Sequence, residues 1–130
     1  MRNAASLALV LGLVACGPSI PPEQTLRNLQ EVMNEPVDDA DESARFSQRV
    51  QEVVESDALQ NMSRPEVQEL LGRGDPCSRH PRCMDNGFEN DDWFYDVGAL
   101  GEGYPGPVPL LIVGFDREGK VVRVWNLRTH

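Results

Sequence analysis

The stretch Met62-Ser63-Arg64-Pro65-Glu66-Val67-Gln68-Glu69-Leu70-Leu71-Gly72 specifies its own local structure more fully than any other part of this 130-residue chain. Ser63 and Glu66 form a capping-box pair. The hydroxyl can accept the Glu66 amide hydrogen while the carboxylate reaches back to the Ser63 amide, so two amides with no intrahelical partner are satisfied together. Pro65 is tolerated in the first turn because its missing N–H would have had no partner. Met62 and Val67 stand where a hydrophobic staple would bridge the cap. Val67, Leu70 and Leu71 supply the apolar face, and Gly72 can take the left-handed conformation that ends the helix.

On the N-terminal side, Phe46, Val50, Val53, Val54 and Ala58 recur on one face of a helix of about four turns beginning near Ser43. Three strand signals lie on the other side. Trp93, Tyr95 and Val97 alternate with Phe94 and Asp96, and Val108 to Phe115 is a longer apolar run. After the turn-like Asp116-Arg117-Glu118-Gly119, Lys120 to Leu127 alternates again, so the last two segments predict a β-hairpin. Gly98 to Pro107, with four Gly and two Pro, predicts a long loop. The order α-α-β-β-β predicts an α+β domain over 43–130, with two helices packed on one face of a three-stranded antiparallel sheet.

The chain is 40% hydrophobic and carries a net charge of −9, too apolar for a disordered protein and too acidic to favour nucleic acid. The apolar residues are uneven, with 12 of 52 in the first sixteen positions. Arg2 precedes the run Ala4 to Ala15, which is too short for a membrane span and fits the apolar region of a secretory signal. Leu13-Val14-Ala15-Cys16 resembles the lipobox of bacterial lipoproteins. That resemblance implies removal of residues 1–15, acylation of Cys16 with diacylglycerol and palmitate, and anchoring to the membrane by several acyl chains. Gly17 in place of Asp favours the outer membrane, with the domain facing the periplasm.

Residues 16–42 are expected to form an acidic tether. Positions 17–42 hold seven acids and one base, leaving −4 for residues 43–130. Leu26, Leu29, Val32 and Met33 recur at helical spacing after Pro22, which fits either a short amphipathic helix or a solvated spacer.

The capping stretch and the following Asp75-Pro76 are similar to the signature of the SmpA/OmlA (BamE-like) small outer-membrane lipoproteins. Trp93-x-Tyr95 resembles the aromatic pair of that family's first strand, and Phe115-Asp116 with Gly119-Lys120-Val121 its final hairpin. The resemblance covers residues 43–127. Asn61 stands where the family prefers Gly, and Arg73-Gly74 is inserted. A non-catalytic scaffold or adaptor in outer-membrane assembly or integrity is implied, with a protein partner in the cell envelope. A cysteine soon after the helix and Trp125 near the end of the last strand also resemble the repeat of the β-lactamase inhibitory proteins. This implies the alternative of a protein-binding inhibitor module.

With Cys16 acylated, Cys77 and Cys83 are left in an oxidising compartment, where a disulfide is expected. The alternative is a metal held by Cys77, His80 and Cys83 with Asp75 or Asp85. The run Asp85 to Asp92 lacks the spacing of a calcium loop and is expected to be a solvated acidic loop. Arg73-Gly74-Asp75 is read as a chance tripeptide. His80 and His130 have no evident nucleophile beside them, and adjacent Asp91 and Asp92 would point to opposite faces of a strand. No enzyme activity, cofactor, metal or small-molecule substrate is expected. If Val122 and Val124 face the helices, Val121, Arg123, Trp125 and Leu127 line the other sheet face as a protein-docking row. The tether helix, the long loop or a second chain could instead cover that row.

Overall fold

Local chemistry sets each helix. The computed structural model describes residues 20–100 and 108–127. Helix α1 (Pro22–Val32) starts with a proline in its first turn and buries Thr25, Leu26, Leu29 and Val32. A two-residue strand, β1 (Pro36–Val37), leads to α2 (Ala40–Ser56). The N-cap of α2 is Asp39, whose side chain accepts the Glu42 amide at 2.8 Å, with Asp41 and Glu42 in the first turn. Part of the acidic run assigned to a tether is therefore the start of a helix, where carboxylates satisfy orphan amides and oppose the helix dipole.

Helix α3 (Arg64–Leu71) forms with both halves of the capping box. The Ser63 hydroxyl accepts the Glu66 amide at 3.3 Å, and the Glu66 carboxylate accepts the Ser63 amide at 2.9 Å. Gly72 ends the helix at φ 83°. Asn61 has φ 66°, a left-handed conformation that Asn tolerates.

The remaining elements are β2 (Asp75–Pro76), a 3-10 turn (Cys77–Arg79), α4 (Pro81–Asp85), β3 (Trp93–Asp96), β4 (Ala99–Leu100), β5 (Leu110–Phe115) and β6 (Val121–Asn126). The main sheet is antiparallel in the order β2-β3-β5-β6, and β1 pairs in parallel with β4. The α+β class stands, with four α-helices and a fourth strand in the antiparallel sheet among the described residues. Strand β2 is two residues long, too short to show a period of two.

The helical part of residues 16–42 is not a solvated spacer. Leu26, Leu29 and Val32 join Phe46, Val50, Val53, Leu59, Val67 and the inward residues of the sheet in one core. The chain after α1 is then stitched to the end of β3. Met33 and Glu35 carbonyls accept the Gly98 and Ala99 amides at 2.9 and 2.8 Å. Gly98 sits at φ 109°, and a Cβ there would lie 2.6 Å from Val37 Cγ2 and 2.8 Å from the Phe46 ring.

Strand β5 is buried along its whole length. Leu111, Val113 and Phe115 face the helices, while Leu110 and Ile112 belong to a second cluster with Cys77, Cys83, Phe88, Phe94 and Leu127.

Two measurements check this account. Gly98→Ala must strain the backbone and crowd Val37 and Phe46, and should cost about 2–4 kcal/mol in urea unfolding; a loss below about 1 kcal/mol would contradict the packing. The Ser63 amide first, and then its hydroxyl, hold the Glu66 carboxyl below its ordinary pKa. The fold thus favours the charged form, so this stabilisation is complete above the unfolded value and disappears as pH falls through the lower folded one. Glu66→Gln should therefore lose less Tm than the wild type between about pH 6 and about pH 3. Equal losses would remove Glu66 from the acid response.

Candidate partner-binding site

The sheet face away from the helices is where the docking row was expected, and residues 77–90 cover part of it, leaving Arg123 and Trp125 half-buried. Strand β6 carries a bulge: Val121 pairs with Phe115 and Arg123 with Gly114, leaving Val122 as the extra residue, 50% exposed. An extra residue reverses the in–out alternation on one side of it. Val121 therefore turns into the helix-side core and is fully buried, contrary to the expected row. Val124 packs on the helix-side core as expected. Asn126 anchors that face, donating to the Ser47 carbonyl and hydroxyl at 3.3 Å and to Gln51 Oε1 at 3.1 Å.

Arg123, Trp125 and Leu127 do share the other face, beneath residues 77–90. Cys77 and Cys83 are joined by a disulfide, with Cα atoms 5.4 Å apart and both residues buried. The bond closes a cap made of the 3-10 turn and α4. Phe88 fills the space beside Gly114, where a Cβ would lie 3.2 Å from the ring. Arg123 places its guanidinium 4.1 Å from the Phe88 centroid and 4.9 Å from that of Trp125, and donates to the Asn86 carbonyl at 2.9 Å. Two features treated separately in the sequence, the cysteine pair and the apolar row, are one hydrophobic cluster.

The acidic run is likewise partly structural. Asp92 is buried, and its carboxylate accepts the Glu89 amide at 2.8 Å and the Phe115 amide at 3.0 Å. Asp91 points to solvent, so the two aspartates diverge as expected of neighbours. His80 sets its ring edge-on to Phe94, with centroids 5.1 Å apart. The disulfide takes both sulfurs of the Cys-His-Cys alternative, and among the described residues no three His, Cys, Asp or Glu side chains converge as metal ligands. Cys16 and His130 lie outside the described residues.

An open groove of about 740 Å³ lies between α3 and the β2–β3 edge, lined by Arg64, Gln68, Arg73, Pro76, Asp91 and Trp93 among others. Its floor depends on Gly74. Gly74 lets the backbone cross Trp93, since a Cβ there would lie 2.5 Å from Trp93 Cβ. Tyr95 donates to the Gly72 carbonyl at 2.8 Å, and burial pushes its hydroxyl pKa up. Arg64 lies 4.0 Å from the Phe115 centroid and 5.2 Å from that of Trp93, while donating to the Asp91 carbonyl at 2.9 Å. Its ion pair with Asp91, 81% exposed, adds little beside this stacking. The groove presents guanidinium, amide and carboxylate groups over an aromatic floor. In the sequence Arg73-Gly74 stands out only as a departure from the resembling pattern and as part of a chance tripeptide, and neither reading points to a groove.

Comparison with family models, with curated proteins and with solved structures finds no match for this chain.

Trp125 packs against the disulfide cap, so Trp125→Ala should lower stability by about 2–4 kcal/mol. Replacing both Cys77 and Cys83 by Ser should cost about 2–2.5 kcal/mol from loop closure alone. Urea unfolding measures both. A Trp125→Ala melting curve matching the wild type would return Trp125 to the expected docking row.

Proposed function

We propose that this chain is a lipid-anchored protein of the bacterial outer membrane, with its domain in the periplasm, acting as a non-catalytic scaffold or adaptor in envelope assembly or integrity. The observation that carries the reading is Leu13-Val14-Ala15-Cys16 at the end of a twelve-residue apolar run, followed closely by a small α+β domain. Among the described residues no helix is long and apolar enough to cross a membrane. An acylated Cys16 would supply attachment by itself. The non-catalytic reading is supported by where the reactive groups lie: Cys77 and Cys83 are bonded to each other, and His80 packs on Phe94. The resemblance to the SmpA/OmlA lipoproteins suggests barrel-assembly subunits as partners, and the α3 groove offers an open surface to a protein segment. The disulfide cap after the α3–β2 turn, with Trp125 beneath it, favours a second reading as an inhibitor module of the β-lactamase-inhibitor type.

A pull-down from detergent-solubilised envelope separates the two. Barrel-assembly subunits should be recovered on the first reading, and a soluble periplasmic or extracellular enzyme on the second. Arg73→Glu reverses an exposed charge in the groove and should weaken capture by about tenfold. Its Tm should stay close to that of the wild type. Undiminished capture would move the docking surface elsewhere.

A further inference from the structure

The point at which the fold begins limits how the domain can stand on a membrane. A tether running to residue 42 would leave the domain free to adopt any orientation, but α1 is packed from Thr25 onward. Between Cys16 and Pro22 there are six residue steps, which can span at most about 20 Å.

Helix α1 enters the domain at one end of it. Thr25 Oγ1 lies 3.0 Å from Ser56 Oγ in the last turn of α2, so the start of α1 abuts the end of α2. From there the chain passes directly to the hairpin: the Asn61 amide donates to the Val121 carbonyl at 3.0 Å, and the Arg64 amide to the Gly119 carbonyl at 3.1 Å. The β5–β6 turn is therefore at the tethered end. Helix α2 has 17 residues, a length of about 25 Å. Its N-terminus, β1 and β4 form the opposite end. Charge bears on lying flat rather than on which end faces the lipid, because Glu52, Glu55 and Asp57 make the α2 C-terminus acidic as well. Residues 22–71, the helical layer, hold twelve acids and four bases. A net charge of −8 there disfavours laying that layer on an anionic surface.

We propose that, with lipid on Cys16, the domain stands on the bilayer with the β5–β6 turn and the α2 C-terminus toward the lipid and the β1–β4 end directed away. The partner at the tethered end is thus an anionic lipid surface held close by a short uncharged tether. This orientation rests on the lipid-anchored reading.

The test uses full-length chain purified from membranes, its acylation established by intact mass, in phosphatidylethanolamine–phosphatidylglycerol vesicles. A donor fluorophore on a non-natural residue replaces exposed Glu118 or exposed Glu35, and an energy acceptor is attached to the lipid headgroups. Transfer from position 118 should exceed that from position 35 by at least about twofold, because the sites lie at opposite ends of α2. Inserting about ten Gly/Ser residues between Ser19 and Ile20 should bring the two yields together. Equal yields without the insertion, or more transfer from position 35, would overturn the orientation and leave the anchor standing. A difference that survives the insertion would overturn the short tether as its cause. A chain without acyl groups would overturn both the orientation and the anchored reading.

Discussion

Strand β5 is apolar on both faces, and a strand of that kind must be covered twice. Leu111, Val113 and Phe115 require one layer, Leu110 and Ile112 another. The three long helices supply the first. In a chain of this size little remains for the second, and it is provided by residues 77–90, closed on themselves by the Cys77–Cys83 disulfide. A five-residue helix and a 3-10 turn have too little buried area to hold their shape alone, so a covalent link does part of what a larger core would do. The Arg123 stack on Phe88 and the Asp92 carboxylate on the Phe115 amide then fix the cap to the sheet.

The placement of charge follows from the same packing. The acids of residues 23–42 were assigned to a spacer because they are many and close together. In the fold they decorate α1 and cap α2, and the acidity belongs to the outside of the helical layer. Two arginines work in the opposite way. Arg64 and Arg123 are each laid over a pair of aromatic rings on opposite faces of the sheet, where their stems and planar heads pack as apolar surface.

Wherever a residue's environment is set by its sequence neighbours, the sequence was legible. The Ser63–Glu66 box, the Gly72 stop, the turn after Phe115 and the apolar periodicity of α2 all depend on residues within a few positions. The cysteine pair, separated by six positions, was legible only with the added premise of an oxidising compartment, and the metal alternative stayed open until the structure joined the two sulfurs. The docking row was not, because the single extra residue Val122 inverts the face of Val121 without changing the alternation of apolar letters. Phe88 was hidden inside an acidic run, and its partner Gly114 inside an apolar one; only their contact gives either a role.

By itself, then, the amino-acid order determined the α+β class, the capped helix and the terminal hairpin, since each arises from short-range chemistry. Only the tertiary structure decided that α1 belongs to the core, that Asp75–Pro76 adds an edge strand, and that Arg123, Trp125 and Leu127 lie under a cap. Those outcomes depend on contacts between segments far apart in the chain. A pattern of apolar residues records that a surface must be buried, but leaves open which distant segment buries it.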